Sequence, residues 1–206
     1  MSRRVSKPAE ERRKDLLDAA VSLFRKRGFD ETTVQDIAEA AGVAAGTLYL
    51  YYPSKEHLLS AIHEEFERGQ VDRLGQVIEE LAARSEGAVP DLRLVLDAMW
   101  DAAMAHIYEH REMLEVICRY FPRMGIEEER RLDAVRESTL AELLRLGAEH
   151  GFVDTVDPES TAYLMESINT SVGKAVAYGD PPDVDRLVAQ AKEIYYRVLS
   201  PRSPNT

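Results

Sequence analysis

Only one cysteine, Cys118, is present in the 206 residues, so no disulfide can close within the chain and no thiolate zinc cage can be assembled from it. With Arg119 as its one basic neighbour, Cys118 reads as a small buried hydrophobe in MLEVICRYF, with a redox or ligand-sensing thiol as the other reading. No apolar run approaches the roughly 18 residues that a membrane crossing needs. The opening MSRRVSKPAEERRK is basic but lacks the apolar stretch of a signal peptide. A cytoplasmic protein without a membrane partner is expected. Period-2 alternation, the mark of a half-buried strand, is missing throughout. Phosphate loops and cofactor signatures are missing too, so no cofactor and no catalytic residue is expected. Internal repeats are absent, and the tail SPRSPNT is the one short biased segment.

Positive charge is scarce overall, and a net charge of −11 argues at first sight against a polyanionic partner. Its distribution reverses that argument. Residues 1–60 hold ten Lys/Arg against nine Asp/Glu, whereas the remaining 146 residues hold sixteen against twenty-eight. The first fourteen residues alone carry six basic and two acidic groups. An acidic bulk with a basic arm suits a protein that touches nucleic acid with one end. A hydrophobic content of 45% is enough to build a core, as one domain or as two small ones.

What is present is helical periodicity. Leu16, Leu17, Ala20, Val21, Leu23 and Phe24 form one apolar stripe, closed by the basic RKRG, where Gly28 can take a positive φ. Thr33, followed three residues later by Asp36, resembles a capping box, and it opens a second helix with Val34, Ile37, Ala38 and Ala41 on one face. Gly42 stops that helix. A third runs from about Ala44 to Tyr52 and ends at Pro53, and Ser54 with His57 starts a long fourth that can bend near Gly69 or Gly75. Beyond the linker RSEGAVP, helices are expected at about 90–109, 110–121, 126–150, 158–178 and 183–199. Each break carries glycine, proline or both.

Two helices of about eight residues, joined by a tight glycine turn and braced by a preceding helix, are the parts of a helix-turn-helix unit. In its second helix Ala45, Leu48, Tyr49 and Tyr52 fall at helical spacing and are expected to face inward. Gly46, Thr47, Leu50 and Tyr51 are left outward, with Ala44 at the exposed end. The run TTVQDIAEAAGVAAGTLYLYYPSKEHLL, after LLDAAVSLFRKRGFDE, closely resembles the TetR/AcrR family of bacterial transcriptional regulators over about residues 10–70.

The resemblance implies roles for particular residues. Thr33 caps the second helix and offers its hydroxyl to a phosphate, and Gln35 reaches a base edge. Thr47, Tyr49 and Tyr51 approach bases or backbone, and Lys55 neutralises a phosphate near a helix N-terminus. Ala44 and Ala45, with Gly46 beside them, depart from the polar pair often found at the opening of that helix. Alanine cannot hydrogen-bond a base but can pack on a thymine methyl. Discrimination is therefore expected to draw on DNA shape, half-site spacing and the arm bearing Arg3, Arg4 and Lys7, for which a plain basic tail is the alternative.

A reader of this kind works as a symmetric homodimer on two half-sites. Leu187, Ala191, Ile194 and Tyr195 in the last helix, and Met165, Ile168 and Val172 in the one before, form stripes that the resemblance implies meet in a four-helix dimer interface. Closing the monomer's own core is the other reading. Trp100, Met99, Met104, Met113, Met124 and Phe121 gather soft groups suited to a core or to a pocket for a small hydrophobic effector. Arg119, Tyr163 and Asn169 are candidates for its polar contacts.

His106, Glu109 and His110 match the H-x-x-E-H pattern of inverted zincin metallopeptidases, a short pattern that needs a third zinc ligand. No such ligand stands out, and no metal is expected. The expectation is an all-α protein of about nine helices: a basic arm (1–9), a DNA-binding domain (10–70, helix-turn-helix at about 33–52), a helical effector-binding and dimerisation domain (71–200) and a tail (201–206). Its expected function is that of a repressor released from double-stranded operator DNA by a small, mainly hydrophobic ligand. A zinc-dependent hydrolase, or an activator or orphan regulator without ligand, stands as the alternative.

Overall fold

The structure, a computed structural model, describes residues 8–84, 91–124, 126–151, 153–155, 157–179 and 183–200. The arm residues Arg3, Arg4 and Lys7, the tail, and the side chain of Met124 lie outside the described residues. Among those described there is helix and no strand. The elements are α1 (Ala9–Arg27), α2 (Val34–Ala40), α3 (Ala45–Tyr51), α4 (Lys55–Arg84), α5 (Leu92–Glu109) and α6 (Arg111–Tyr120). A 3-10 turn (Phe121–Met124) follows, then α7 (Ile126–Glu149), α8 (Pro158–Tyr178) and α9 (Val184–Leu199). No described helix is long and apolar enough to cross a membrane.

Local chemistry sets these boundaries. Asp91 accepts from the Arg93 and Leu94 amides at the start of α5, Asp157 from Ser160 at α8, and Asp183 from Arg186 at α9, so each helix opens on a carboxylate cap. Pro158 occupies the first turn of α8, where a missing N–H costs nothing. Gly28 and Gly179 end α1 and α8 at positive φ. Gly69 has a different reason. A Cβ there would stand 2.7 Å from the His106 imidazole, so its place is a close approach of α5 rather than a bend, and α4 stays helical through both Gly69 and Gly75.

Two compact units result. The first takes the chain up to Phe66 together with Glu112–Met124, so it adds α6 and the 3-10 turn to the three-helix unit expected at 10–70. Leu16, Leu17, Ala20, Val21 and Phe24 of α1 are buried with Ile37, Leu48, Leu58, Leu59, Ile62, Val116 and Ile117. Phe24, Phe29 and Tyr120 form an aromatic cluster with centroids 5.0 to 6.4 Å apart, and the Tyr120 hydroxyl donates to the Phe24 carbonyl at 3.2 Å. Arg25 holds Glu115 at 2.9 Å and pairs with Glu112, which fastens α6 along α1.

In the second unit α5 packs against α9, and α8 against α7 and α9. Trp100 meets Tyr195 edge-on at 5.3 Å. The buried Tyr195 hydroxyl sits 2.6 Å from the Met165 carbonyl and 2.7 Å from Asn169 Oδ1, and burial pushes its pKa up, so it remains a donor. Arg136 lies between Glu67 and Glu166, 2.9 Å from each, and ties α4, α7 and α8 together.

Candidate nucleic-acid interface

Thr33 caps α2. Its Oγ1 accepts from the Asp36 amide at 3.1 Å and donates to the Asp36 carboxylate at 2.6 Å, while that carboxylate accepts from the Thr33 amide at 2.9 Å. The expected capping box is therefore complete, and its geometry corrects one expectation. The hydroxyl proton expected on a phosphate is directed at Asp36. Thr33→Ala is expected to cost about 1 kcal/mol through loss of the amide cap, read as a lower melting temperature.

The Thr33 hydroxyl first, then its amide and the charge of Arg27, hold the Asp36 carboxyl below its ordinary 3.8. A depressed carboxylate stabilises the fold above the unfolded-state pKa, and that contribution is lost as pH falls through the folded value. The expected result is that acid below about pH 4 lowers the melting temperature of the native protein more than that of Asp36→Asn. Equal pH profiles would contradict it.

The turn after α2 is a Schellman closure. The Gly42 amide donates to Glu39 at 3.0 Å and the Val43 amide to Ala38 at 2.9 Å, with Gly42 at φ 69° in the left-handed region. It sets Ala44 as the first residue of the next segment, and α3 follows with no side-chain cap. Of its residues only Leu48 is buried. Leu50 is 84% exposed and Tyr49 53% exposed. Gln35, Ala44 and Gly46 are also exposed, and Ala45 and Thr47 are half-buried.

The exposure of Tyr49 overturns the inward place that spacing suggests beside Leu48 and leaves it on the open face, where the resemblance implies that it approaches bases or backbone. Tyr51, expected outward, is half-buried. Its hydroxyl accepts from Arg12 at 3.3 Å, and the Arg13 guanidinium lies 5.8 Å from its ring centroid. Arg12 and Arg13 are the functional candidates missed by the sequence reading. They are remote from α3 in the chain, and the basic count of the first fourteen residues is their only signal.

Lys55 is held by backbone of the same unit. Its ammonium donates to the Phe29 carbonyl at 2.7 Å and to Asp30 at 3.4 Å, and it lies 4.7 Å from the Phe29 ring centroid. In the free protein it locks the α1–α2 turn to the start of α4.

Trp100 and Met104 are buried core groups of the second unit, Tyr163 is exposed, and Asn169 is bonded to Tyr195 and Glu166. Arg119 and Phe121 belong to the first unit, where Arg119 is exposed and paired with Glu115, and Phe121 stacks on His63 at 4.4 Å. The proposed pocket set is therefore corrected for Arg119 and Tyr163, which face solvent.

Met165, Val172, Ala191 and Tyr195 are buried within the second unit, so they close its own core rather than facing a second copy; Ile168 and Leu187 are half-buried and Ile194 is exposed. His106 is buried against His110, ring centroids 4.5 Å apart, while Glu109 pairs with Arg73 at 3.0 Å. Among the described residues no group of three His, Cys, Asp or Glu could hold a metal ion.

A capped helix, a glycine turn and a second short helix with an uncharged open face define a helix-turn-helix module of the kind that enters a major groove. Residues 16–62 match the family described as bacterial regulatory proteins, tetR family. The chain is 52% identical over 64 residues to the HTH-type transcriptional repressor KstR of Rhodococcus jostii, a match covering 31% of this chain and 30% of that protein. The match thus spans under a third of that relative. A TetR-like transcriptional regulator from Rhodococcus sp. RHA1 superposes with a TM-score of 0.63 at 26% identity, covering 93% of this chain and 97% of the other. The fatty acid degradation regulator FadR of Bacillus halodurans shares the fold, with a TM-score of 0.64 at 21% identity over 92% and 96% of the two chains.

Proposed function

We propose that the protein is a transcriptional repressor that binds double-stranded operator DNA as a homodimer in the cytoplasm and leaves it when a small, mainly hydrophobic ligand binds. It acts by binding and not by catalysis. The observation that carries this reading is the open face of α3. No charged residue occurs from Ala40 to Ser54, so nothing on that face repels a phosphate-lined groove, and Arg12 and Arg13 stand at Tyr51 at its far end. In this reading Gln35, Thr47 and Tyr49 meet bases or backbone. The reading unit comprises the helix-turn-helix with α1 and α6, and the remaining helices serve assembly and effector binding, with Trp100 and Met104 as the apolar groups nearest to hand.

In this reading the second copy meets the exposed part of the α8 and α9 stripes, which keeps Ile194 from the expected set and leaves out its buried members. Leu164, Ser167, Ser171 and Tyr178 form an exposed row on α8, and Ile194 and Val198 one on α9. Ser167 and Ser171 donate back to the carbonyls of Tyr163 and Ser167 at 2.9 and 2.8 Å, so their hydroxyls are satisfied and present small surfaces for close helix approach. Ile194→Lys is expected to weaken self-association by about tenfold or more and to reduce DNA affinity with it. Sedimentation and a gel shift on the same sample check both effects, and an unchanged dimer would remove this face from consideration.

The experiment for the whole reading is a gel shift against the DNA upstream of the chain's own coding region, and against duplexes selected from random sequence. It is repeated with fatty acids, other lipids, drugs and acyl thioesters. A shifted band of two subunits per duplex, released by one ligand class, is the expected result. No preference for any duplex at low ionic strength would overturn it.

A further inference from the structure

Nothing among the described residues accounts for Gly46 and Leu50. Glycine in a helix costs about 1 kcal/mol relative to alanine, and such a cost is usually repaid by a positive φ or a crowded neighbour. Gly46 has neither. It is not among the positive-φ glycines, and a Cβ added there would meet nothing within 4 Å. One turn further on, Leu50 is 84% exposed. Positions four apart share a helix face, and helical side chains lean toward the N-terminus, so Leu50 leans toward the space that Gly46 leaves open. The methyl-only Ala44 is exposed at the head of the same helix.

We infer that Gly46 and Leu50 together read the 5-methyl group of a thymine, with Leu50 supplying the apolar contact and Gly46 the close approach of the backbone. The inference rests on the DNA-binding reading above. The major groove offers one apolar feature on a base edge, the thymine methyl, and it is what separates thymine from cytosine on a surface without hydrogen-bonding groups. Arg12 and Arg13 at the neighbouring Tyr51 match the groove's phosphates in sign, which favours duplex over an apolar partner protein.

The test uses the full chain and a duplex selected by it from random DNA. Each thymine is replaced in turn by deoxyuridine, which removes only the methyl. At one position per half-site the substitution is expected to weaken binding about fourfold, the worth of one methyl transferred from water, and about sixteenfold in both half-sites together. Leu50→Ala is expected to bind the thymine duplex as weakly as the native protein binds the uracil duplex, and to be insensitive to the replacement. Gly46→Ala is expected to melt at or above the native temperature yet to bind about tenfold more weakly.

Deoxyuridine without effect, an alanine variant that keeps its preference for thymine, or a Gly46→Ala protein with native affinity would each overturn the inference while leaving DNA binding intact. Failure to select any duplex would overturn the DNA reading itself. Leu50 is exposed, so its variant keeps the fold, and an unchanged far-UV spectrum checks that.

Discussion

Leu48→Ala is expected to abolish operator binding, with a loss of about a hundredfold or more, while most of the protein's helix remains. A helix of seven residues is far below the length at which helix is stable in water by itself. What keeps α3 formed is tertiary contact, and among its seven residues Leu48 alone is buried, at 0% exposure. Truncating a buried leucine to alanine costs about 2 to 5 kcal/mol, which exceeds anything the exposed residues of α3 can restore. Its partners are not of that kind. Tyr49 and Leu50 face outward, the N-terminal Ala44 gives no side-chain cap, and Tyr51 rests on two arginines.

The loss falls on the element that would enter the groove. Far-UV dichroism should therefore fall by no more than the small share of helix that α3 represents, with binding gone. Native affinity in Leu48→Ala would mean that α3 is not the reading element. Leu48→Met, close in volume, is expected to retain most of the binding.

The helices were legible because their ends carry their own chemistry. Thr33 with Asp36, Gly42, Pro53, Asp91, Asp157 with Pro158, and Asp183 act within a few residues of the boundary they set, and all nine expected helices have counterparts within a few residues. Side-chain direction was legible only where a helix is long enough to define a face. Along α1 the buried set agrees with the stripe except at Leu23, which is half-buried. In α3 one buried position leaves the rotation free by a residue, and Tyr49 fell on the wrong side.

The stripe on α9 failed for another reason. It is wide enough to hold two faces, and the fold divides it, with Ala191 and Tyr195 going to the core and Ile194 and Val198 to solvent. Contacts across long stretches of chain left no local trace. The Lys55 ammonium on the Phe29 carbonyl, Arg12 on Tyr51 and Tyr120 on Phe24 join residues 26, 39 and 96 positions apart. No pattern of neighbours encodes them.

Raising salt from 50 to 200 mM is expected to lower operator affinity by about a thousandfold, a log-log slope of about −5 for roughly six phosphates neutralised by a dimer. The protein bears a net charge of −11, and all of the negative excess lies beyond residue 60. At moderate salt that excess is screened over about 8 to 10 Å, so the groups next to the groove decide the slope. The identity of those groups separates two accounts. If Lys55 met a phosphate, its replacement by methionine would make the slope shallower by nearly two units in a dimer. Its ammonium instead faces the Phe29 and Asp30 carbonyls and the Phe29 ring, so Lys55→Met is expected to lower the melting temperature and leave the slope in place. Arg12→Ala with Arg13→Ala is expected to do the reverse, removing about four contacts from the dimer and taking the slope to near −1.5. A steep slope that survives the arginine replacements would move the phosphate contacts onto the arm bearing Arg3, Arg4 and Lys7, and a truncation removing the first seven residues then decides between the two ends of the basic segment.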